Sequence, residues 1–259
     1  MIALIAAQLR ERRRSPLSWG LPIGAWSAFV VAIYPSIEGP IHRVIHSYPK
    51  ALKEAFGIGD LAVVGEYLYA EMLSLVVPLA LGYLATRAVS SALSGAAESG
   101  RLDVLLSAPV ARRTLAWAAL LAAAVELAAV LTLALLLTEL SSALAGAHLS
   151  FSSAAAGFAN VWPLALLLGG LTIVASGFSL RTNIVTGSLA GVLVGMYVID
   201  LVGRLDTGID GVRYVSVFRY YGNAIEHGID PLSFVGVLVA AVLFAALGVE
   251  LFDRRDLAD

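Results

Sequence analysis

The sequence has no cysteine, two lysines among its 17 basic residues, and few charges, since Asp, Glu, Lys and Arg make up 14% of its 259 residues. The absence of cysteine excludes disulfides, thiolate metal sites and a cysteine nucleophile. Neither Lys50 nor Lys53 follows a glycine or precedes Ser or Thr, so the chain has no phosphate-binding loop of the GxxxxGK[ST] type. We therefore expect no ATP site of this kind, no bound cofactor and no metal in this chain.

Apolar residues, by contrast, make up 59% of the chain. Soluble domains contain about 45–50%, and a soluble globule of this size could not keep so much apolar surface from water. The net charge of −2 gives no reason to expect a nucleic-acid partner. The composition therefore predicts a membrane protein, and the helical spans described next predict an all-α, multi-pass protein of the cell membrane.

Six stretches are long and apolar enough to cross a bilayer, which takes about 20 residues each as a helix. Two of them have proline at the first helical position after a capping residue, at Ser15-Pro16 and Asp230-Pro231. Pro78 is expected to kink the second. The six predicted spans are Pro16–Tyr34, Met72–Leu93, Leu115–Leu137, Trp162–Leu180, Ile184–Leu201 and Leu232–Leu251.

The arginines predict the orientation of the spans. Arg10 and Arg12–Arg14 precede the first span, and basic residues near span ends favour the cytoplasmic side. Both termini are therefore expected inside the cell. A secretory signal places its charges before its apolar run, whereas here the apolar residues come first. We expect residues 1–15 to form an amphipathic helix at the membrane surface.

The segment between the second and third spans is longer than a connector needs to be. It carries leucines at helical spacing, followed by a proline and a basic pair. This pattern favours a short amphipathic helix, either on the inner membrane face or in a groove of a cytoplasmic partner. The residues that define it are Glu98, Gly100, Leu102, Leu105, Leu106, Pro109, Arg112 and Arg113.

The same residues resemble the signature of type-2 ATP-binding-cassette (ABC) permeases, E-x-x-G-T-L-x-x-L-L-x-x-P-V-x-R. One residue rather than two separates Glu98 from Gly100 here, and Arg101 stands in place of the threonine. Two other segments, 216–221 (SVFRYY) and 252–257 (FDRRDL), are similar to the family's S-P-F-x-Y-x and F-x-x-R-D-L motifs. The three motifs occur in the family's order, and together with six spans at the family's spacing they extend the resemblance over nearly the whole chain.

The resemblance implies the membrane subunit of an ATP-driven exporter. It would pair with a second permease copy or paralogue and with two separate ATPase subunits, which would bind ATP and Mg²⁺. Residues 1–15 would be a connecting helix, and 16–251 the six-span permease domain. Within that domain, about 98–115 would be a cytoplasmic coupling helix and about 212–230 short outer re-entrant helices. Residues 252–259 would be a cytoplasmic tail. The apolar spans favour a hydrophobic or amphipathic cargo such as a drug or lipid.

Two features inside the spans allow more than one interpretation. Glu126 lies within the third span, where a carboxyl is costly and faces a cavity or a partner. It could belong to a translocation path or support a neighbouring helix. Gly187, Gly191 and Gly195 share one face of the fifth span and allow close helix packing, either within the chain or at a dimer seam. In the resembled family the fifth and first spans meet across the two-fold axis.

The main alternative function is an ATP-independent transporter or channel that uses Glu126. Such proteins typically have repeats and interrupted helices near the middle of the membrane, and the sequence has neither. It also lacks a clustered set of catalytic residues, so we do not expect an enzyme.

Overall fold

The computed structural model describes residues 1–45, 63–100, 111–205 and 207–254, with only the backbone at 40–45 and 207. All regular elements in these ranges are helices, and six are long and apolar enough to cross a membrane. The spans cover Ser15–Gly39, Val76–Glu98, Arg112–Ala145, Phe151–Phe178, Thr182–Leu205 and Pro231–Asp253. They are called the first to sixth spans below.

Shorter helices stand at both ends of the spans. An N-terminal helix, Ile2–Glu11, precedes the first span and packs on the third. Helices Val64–Leu68 and Tyr69–Leu73, the latter with π geometry, lead to the second span, which ends in the short helix Ser94–Glu98. Between the fifth and sixth spans lie a 3₁₀ helix and two short α-helices, together called the linker helices: Thr207–Val215, Val217–Tyr221 and Ala224–His227.

Several helices extend beyond their apolar stretches. The third has 34 residues, so it is about 50 Å long, well over the roughly 30 Å of hydrocarbon in a bilayer. The fourth begins at Phe151 rather than at the predicted Trp162, so Pro163 lies in its interior. The first helix continues to Ile45, beyond the predicted Tyr34. Polar side chains mark where the membrane-facing surface of a helix ends, but the backbone hydrogen bonds of the helix can continue beyond them.

The three predicted proline features have different outcomes. The first helix begins at Ser15 itself, so Pro16 is its second residue. The Asp230 carboxylate accepts hydrogen bonds from the backbone N–H groups of Leu232 and Ser233, both at 3.2 Å, which confirms the capped start of the sixth span. Pro78 does not kink a longer helix, because the second span begins at Val76. Proline fits the first turn of a helix, where its missing N–H would have no partner within the helix.

The fourth span lies at the centre of the bundle. In its most apolar window 67% of residues are buried, against 22% for the fifth span and 28% for the sixth. The fourth span packs on the second, third and sixth, and the first packs on the third. The fifth span is therefore peripheral, with one side on the second span and the other open.

Candidate functional site

A polar cavity of about 370 Å³ lies beside the start of the first span. Its walls come from the N-terminal residues and from the second and third spans. Charged side chains and serines dominate the walls, in contrast to the apolar spans around them. The lining residues are Glu11, Arg12, Arg14, Ser15, Ser18, Leu84, Arg87, Ala88, Ser91 and Glu126.

Glu126 is buried at this cavity and has an arginine partner. Its side chain is 2% exposed, and Arg12 Nη1 donates to Glu126 Oε2 at 3.3 Å. A buried carboxylate needs such a partner, because leaving it alone would cost several kcal/mol. Glu126 therefore lines a polar cavity and holds the N-terminal segment through Arg12, while its place in a translocation path stays a prediction.

Two further arginines line the cavity without a carboxylate partner. Neither Arg14 nor Arg87 forms an ion pair in the described part of the chain. Arg87 lies midway along the second span and is exposed in the isolated chain. The cavity thus has three guanidinium groups and two carboxylates, one of which is bonded to Arg12.

The two ends of the predicted coupling segment are tied to other spans. Glu98 accepts hydrogen bonds from Thr182, at 3.1 Å from the backbone N–H and 2.6 Å from Oγ1, and so joins the second span to the start of the fifth. Gly100, at φ +68°, adopts a left-handed conformation just after that helix. Arg113, at the start of the third span, pairs with Glu250 at 3.0 Å and with Asp253 at 2.8 Å.

A third contact joins the same region to the fourth span. The buried Ser94 Oγ lies 3.1 Å from the buried Ser176 Oγ and donates to the carbonyl of Ser179 at 3.4 Å. We call Ser94, Glu98, Thr182, Arg113 and Asp253 the helix-end cluster. The predicted contact residues Leu102, Leu105, Leu106 and Pro109 lie outside the described residues. Arg112 is the first residue of the third span.

The glycines of the fifth span lie on an open face. A Cβ added at Gly187, Gly191 or Gly195 would meet no atom within 4 Å. Exposed apolar residues flank them, namely Ile184, Val194 and Val198. We call these six residues the glycine face. Within the described chain no neighbouring helix makes use of the missing side chains.

Charged side chains join the far end of the fifth span to the linker helices. Asp200 is buried and accepts from Arg204 at 2.6 Å and from Arg213 at 2.9 Å. Arg213 also pairs with Asp210 at 2.8 Å, and this hydrogen bond is the main cause that holds the pKa of Asp210 below its usual value. Arg219 pairs with Asp210 as well.

The linker helices are also bonded to the fourth span and to the two short helices that precede the second span. Asn160 Nδ2 donates to the Tyr221 carbonyl at 2.5 Å, and the Tyr221 hydroxyl donates to the Leu73 carbonyl at 2.8 Å. Burial raises the pKa of Tyr221 well above its usual value. Asn223 Nδ2 donates to Glu66 at 2.9 Å. The segment thus forms a bonded cap over this end of the bundle.

A family model supplies the comparison with known proteins. The model described as "Multidrug efflux system permease Rv1217c, C-terminal domain" matches residues 4–253. The chain belongs to this family. No curated protein matches it.

Membership in this multidrug efflux permease family and the six apolar helices make the chain a multi-pass membrane protein and a transport permease. The match covers the N-terminal helix, all six spans and the linker helices, so the cavity, the helix-end cluster and the glycine face all lie inside the family domain. Membership in a permease family indicates a transport subunit rather than an enzyme.

Sequence reasoning missed several polar residues of this efflux permease. Asp200 and Arg204 are four residues apart on a helix, a spacing that pairs charges, so their contact could have been predicted. The partners of Arg12 and Asn160 lie 114 and 61 residues away, and nothing in a single sequence indicates them. Glu139, a second carboxyl within the third span, was also overlooked; its Oε1 is buried and has no hydrogen-bond partner among the residues that the structure describes.

Proposed function

We propose that this chain is the membrane subunit of an ATP-driven ABC exporter of the type-2 class, working as a dimer with two separate ATPase subunits. The resemblance of segments 98–113, 216–221 and 252–257 to the type-2 signatures and the match to an efflux permease family support the proposal. The cargo would be hydrophobic or amphipathic. Both termini would lie in the cytoplasm.

The helix-end cluster is the observation that carries the coupling part of the proposal. The chain on either side of residues 101–110 is bonded to other spans: Glu98 to the fifth, Ser94 to the end of the fourth, and Arg113 to the end of the sixth. If an ATPase subunit moved this segment, the motion would therefore be transmitted to at least four spans. Rigid elements joined in this way transmit domain motion without large internal rearrangement.

The glycine face supports the proposal that the chain works as a dimer. Glycine in a helix costs about 1 kcal/mol relative to alanine, so three glycines on an open face are unfavourable for an isolated chain. Small residues allow two helices in a bilayer to approach closely, and that contact offsets the cost. In the proposed dimer interface, Gly187, Gly191 and Gly195 of one copy contact the second copy, and the first span lies beside them.

The decisive experiment replaces Leu105 and Leu106 by aspartate in the full chain, co-expressed with a candidate cassette-type ATPase. Charge at these positions should abolish co-purification of the ATPase while insertion stays normal. Leu144→Asp, at the far end of the third span, is the control, since Leu144 is 81% exposed there. Unchanged ATPase capture by the double variant would refute the coupling role.

The same preparation tests the ATP-independent alternative. Reconstituted chain without its ATPase should move no drug-like cargo under a proton or ion gradient. Gradient-driven transport that disappears in Glu126→Gln would favour a secondary transporter instead. A normal pH profile in Glu126→Gln, together with ATP-dependent transport, supports the exporter.

A further inference from the structure

The cavity at the N-terminal residues contains more positive than negative charge. Arg12 and Glu126 neutralise each other at 3.3 Å, whereas Arg14 and Arg87 have no ion-pair partner among the described residues. The remaining carboxylate of the walls is Glu11. Three guanidinium groups against two carboxylates leave an excess of one positive charge around a space of about 370 Å³, and this excess favours an anion.

The charge of Arg87 is not balanced by another side chain among the described residues. Arg87 lies five residues before the end of the helix Val76–Ala92, in a stretch where leucine, valine and alanine predominate. An arginine at such a position avoids hydrocarbon and faces a partner or a polar cavity, since exposure to lipid tails would cost several kcal/mol. Arg87 does face the cavity, but with the described residues alone its charge lacks a counter-charge.

The neighbourhood of the cavity resembles a membrane–water interface. Trp19 and Tyr83 contact each other with ring centroids 6.2 Å apart, one residue along the chain from the lining residues Ser18 and Leu84. Tryptophan and tyrosine concentrate at the level of lipid headgroups. Ser15, Ser18 and Ser91 add hydroxyl groups to the wall.

We propose that this cavity binds a phosphate anion, held by Arg14 and Arg87 with Arg12 beside them. Arginine binds phosphate oxygens through paired, charge-assisted hydrogen bonds. The anion is either the headgroup phosphate of an anionic phospholipid or a free phosphoester, and both would present the same chemistry to the cavity. This site uses only side chains of this chain, so it does not depend on the proposed ATPase partner.

The test uses the purified full chain, delipidated in a neutral detergent. Three probes are added separately: phosphatidylglycerol, phosphatidylcholine and inorganic phosphate. Retention of lipid in native mass spectra and the shift of the thermal unfolding midpoint report binding. Size-exclusion elution reports whether each variant is folded.

Arg14→Gln and Arg87→Gln should each weaken phosphatidylglycerol binding about fivefold, the effect of removing one basic residue near an anionic lipid. Arg13→Gln is the matched control, because Arg13 neighbours Arg14 but does not line the cavity. Arg87→Lys should restore part of the binding. If Arg87→Gln does not fold, the exposed Arg14 still decides the question.

The three probes distinguish a lipid headgroup from a free phosphoester as the source of the bound phosphate. Binding of phosphatidylglycerol but not phosphatidylcholine, weakened in both glutamine variants, identifies a lipid headgroup. Stabilisation by inorganic phosphate with the same arginine dependence, and no lipid retention, identifies a free phosphoester. The proposal is overturned if phosphatidylcholine binds equally well, if Arg13→Gln has the same effect as Arg14→Gln, or if none of the probes binds.

Discussion

A Cβ added at Gly248, where the sixth span crosses the fourth, would lie 2.5 Å from the backbone nitrogen of Val174. One added at Gly191 of the fifth span would meet nothing within 4 Å. At Gly170, on the other side of the fourth–sixth crossing, it would lie 2.5 Å from the Ala241 carbonyl oxygen. The same residue type thus allows two backbones to touch in one place and leaves an open face in another.

The contrast extends to how each helix is attached. The fourth and sixth spans touch along their length through small residues, so their contact is continuous. The fifth span packs on one side and is bonded by polar groups near its two ends, through Glu98–Thr182 and Asp200–Arg213. A helix held in this way keeps a free face for a partner, whereas a helix held along its backbone cannot move without breaking the core.

The largest effect is expected from Gly248→Leu. The side chain would force two backbones apart, and overpacking a close contact costs about 1–3 kcal/mol or more. The thermal unfolding midpoint in detergent should fall sharply, with loss of monodisperse protein. Gly236→Leu in the same span is the control, because a Cβ there meets nothing. Equal losses in both variants would mean that the crossing is not special.

Gly191→Leu should leave the folded chain intact and weaken its dimer, by tenfold or more if the glycine face forms the seam. The reason is that a bulky side chain separates helices that depend on close approach. Cross-linking and size-exclusion chromatography in detergent measure the dimer. A variant that unfolds, or one that still dimerises as well as Gly236→Leu, would argue against this seam.

Asp200→Asn should loosen the linker helices. Removing one partner of a buried ion pair costs about 3 kcal/mol, and Arg213 would then keep only Asp210. Hydrogen exchange of the 3₁₀ helix Thr207–Val215 should speed up, while the fourth and sixth spans stay protected. Asp253→Asn, which removes an exposed pair, is expected to change little. Equal exchange in the two variants would contradict the anchoring role of Asp200.

The smallest effect is a pH dependence of the same segment. Arg213 lowers the pKa of Asp210 below the usual 3.8, so its contribution is present above pH 3.8 and is lost as the pH falls through the lower folded value. Protection of Thr207–Val215 should therefore be constant from neutral pH to about pH 5 and decline in acid. Asp210→Asn should remove this acid-dependent decline, and an identical decline in the variant would assign it to another group.

Much of the helical architecture follows from local sequence. Runs of apolar residues predicted all six spans, and the Asp230-Pro231 pair predicted where the sixth begins. Helix lengths were less predictable. The third helix begins at Arg112, before the predicted Leu115, because backbone hydrogen bonds do not require apolar side chains. Leu115 marks the end of its apolar surface rather than of the helix.

The features that the sequence could not predict depend on contacts between residues that are far apart in the chain. Glu126 was singled out because a carboxyl in a span is unusual, yet its partner Arg12 follows only from the fold. Spacing alone placed Gly187 and Gly191 on one face, but whether that face is packed or open depends on every other helix. Asp200 was the reverse case, a local i, i+4 pair with Arg204 that sequence reasoning could have found.

The Arg12–Glu126 bond also has a consequence for synthesis of the chain. Its two partners are 114 residues apart, so at about 5–20 residues per second the arginine leaves the ribosome on the order of ten seconds before the glutamate. During that interval the N-terminal segment has no such anchor. The third span, in turn, inserts with a carboxyl that is neutralised only when Arg12 reaches it. Assembly of this end of the molecule is therefore complete only after half the chain has been made.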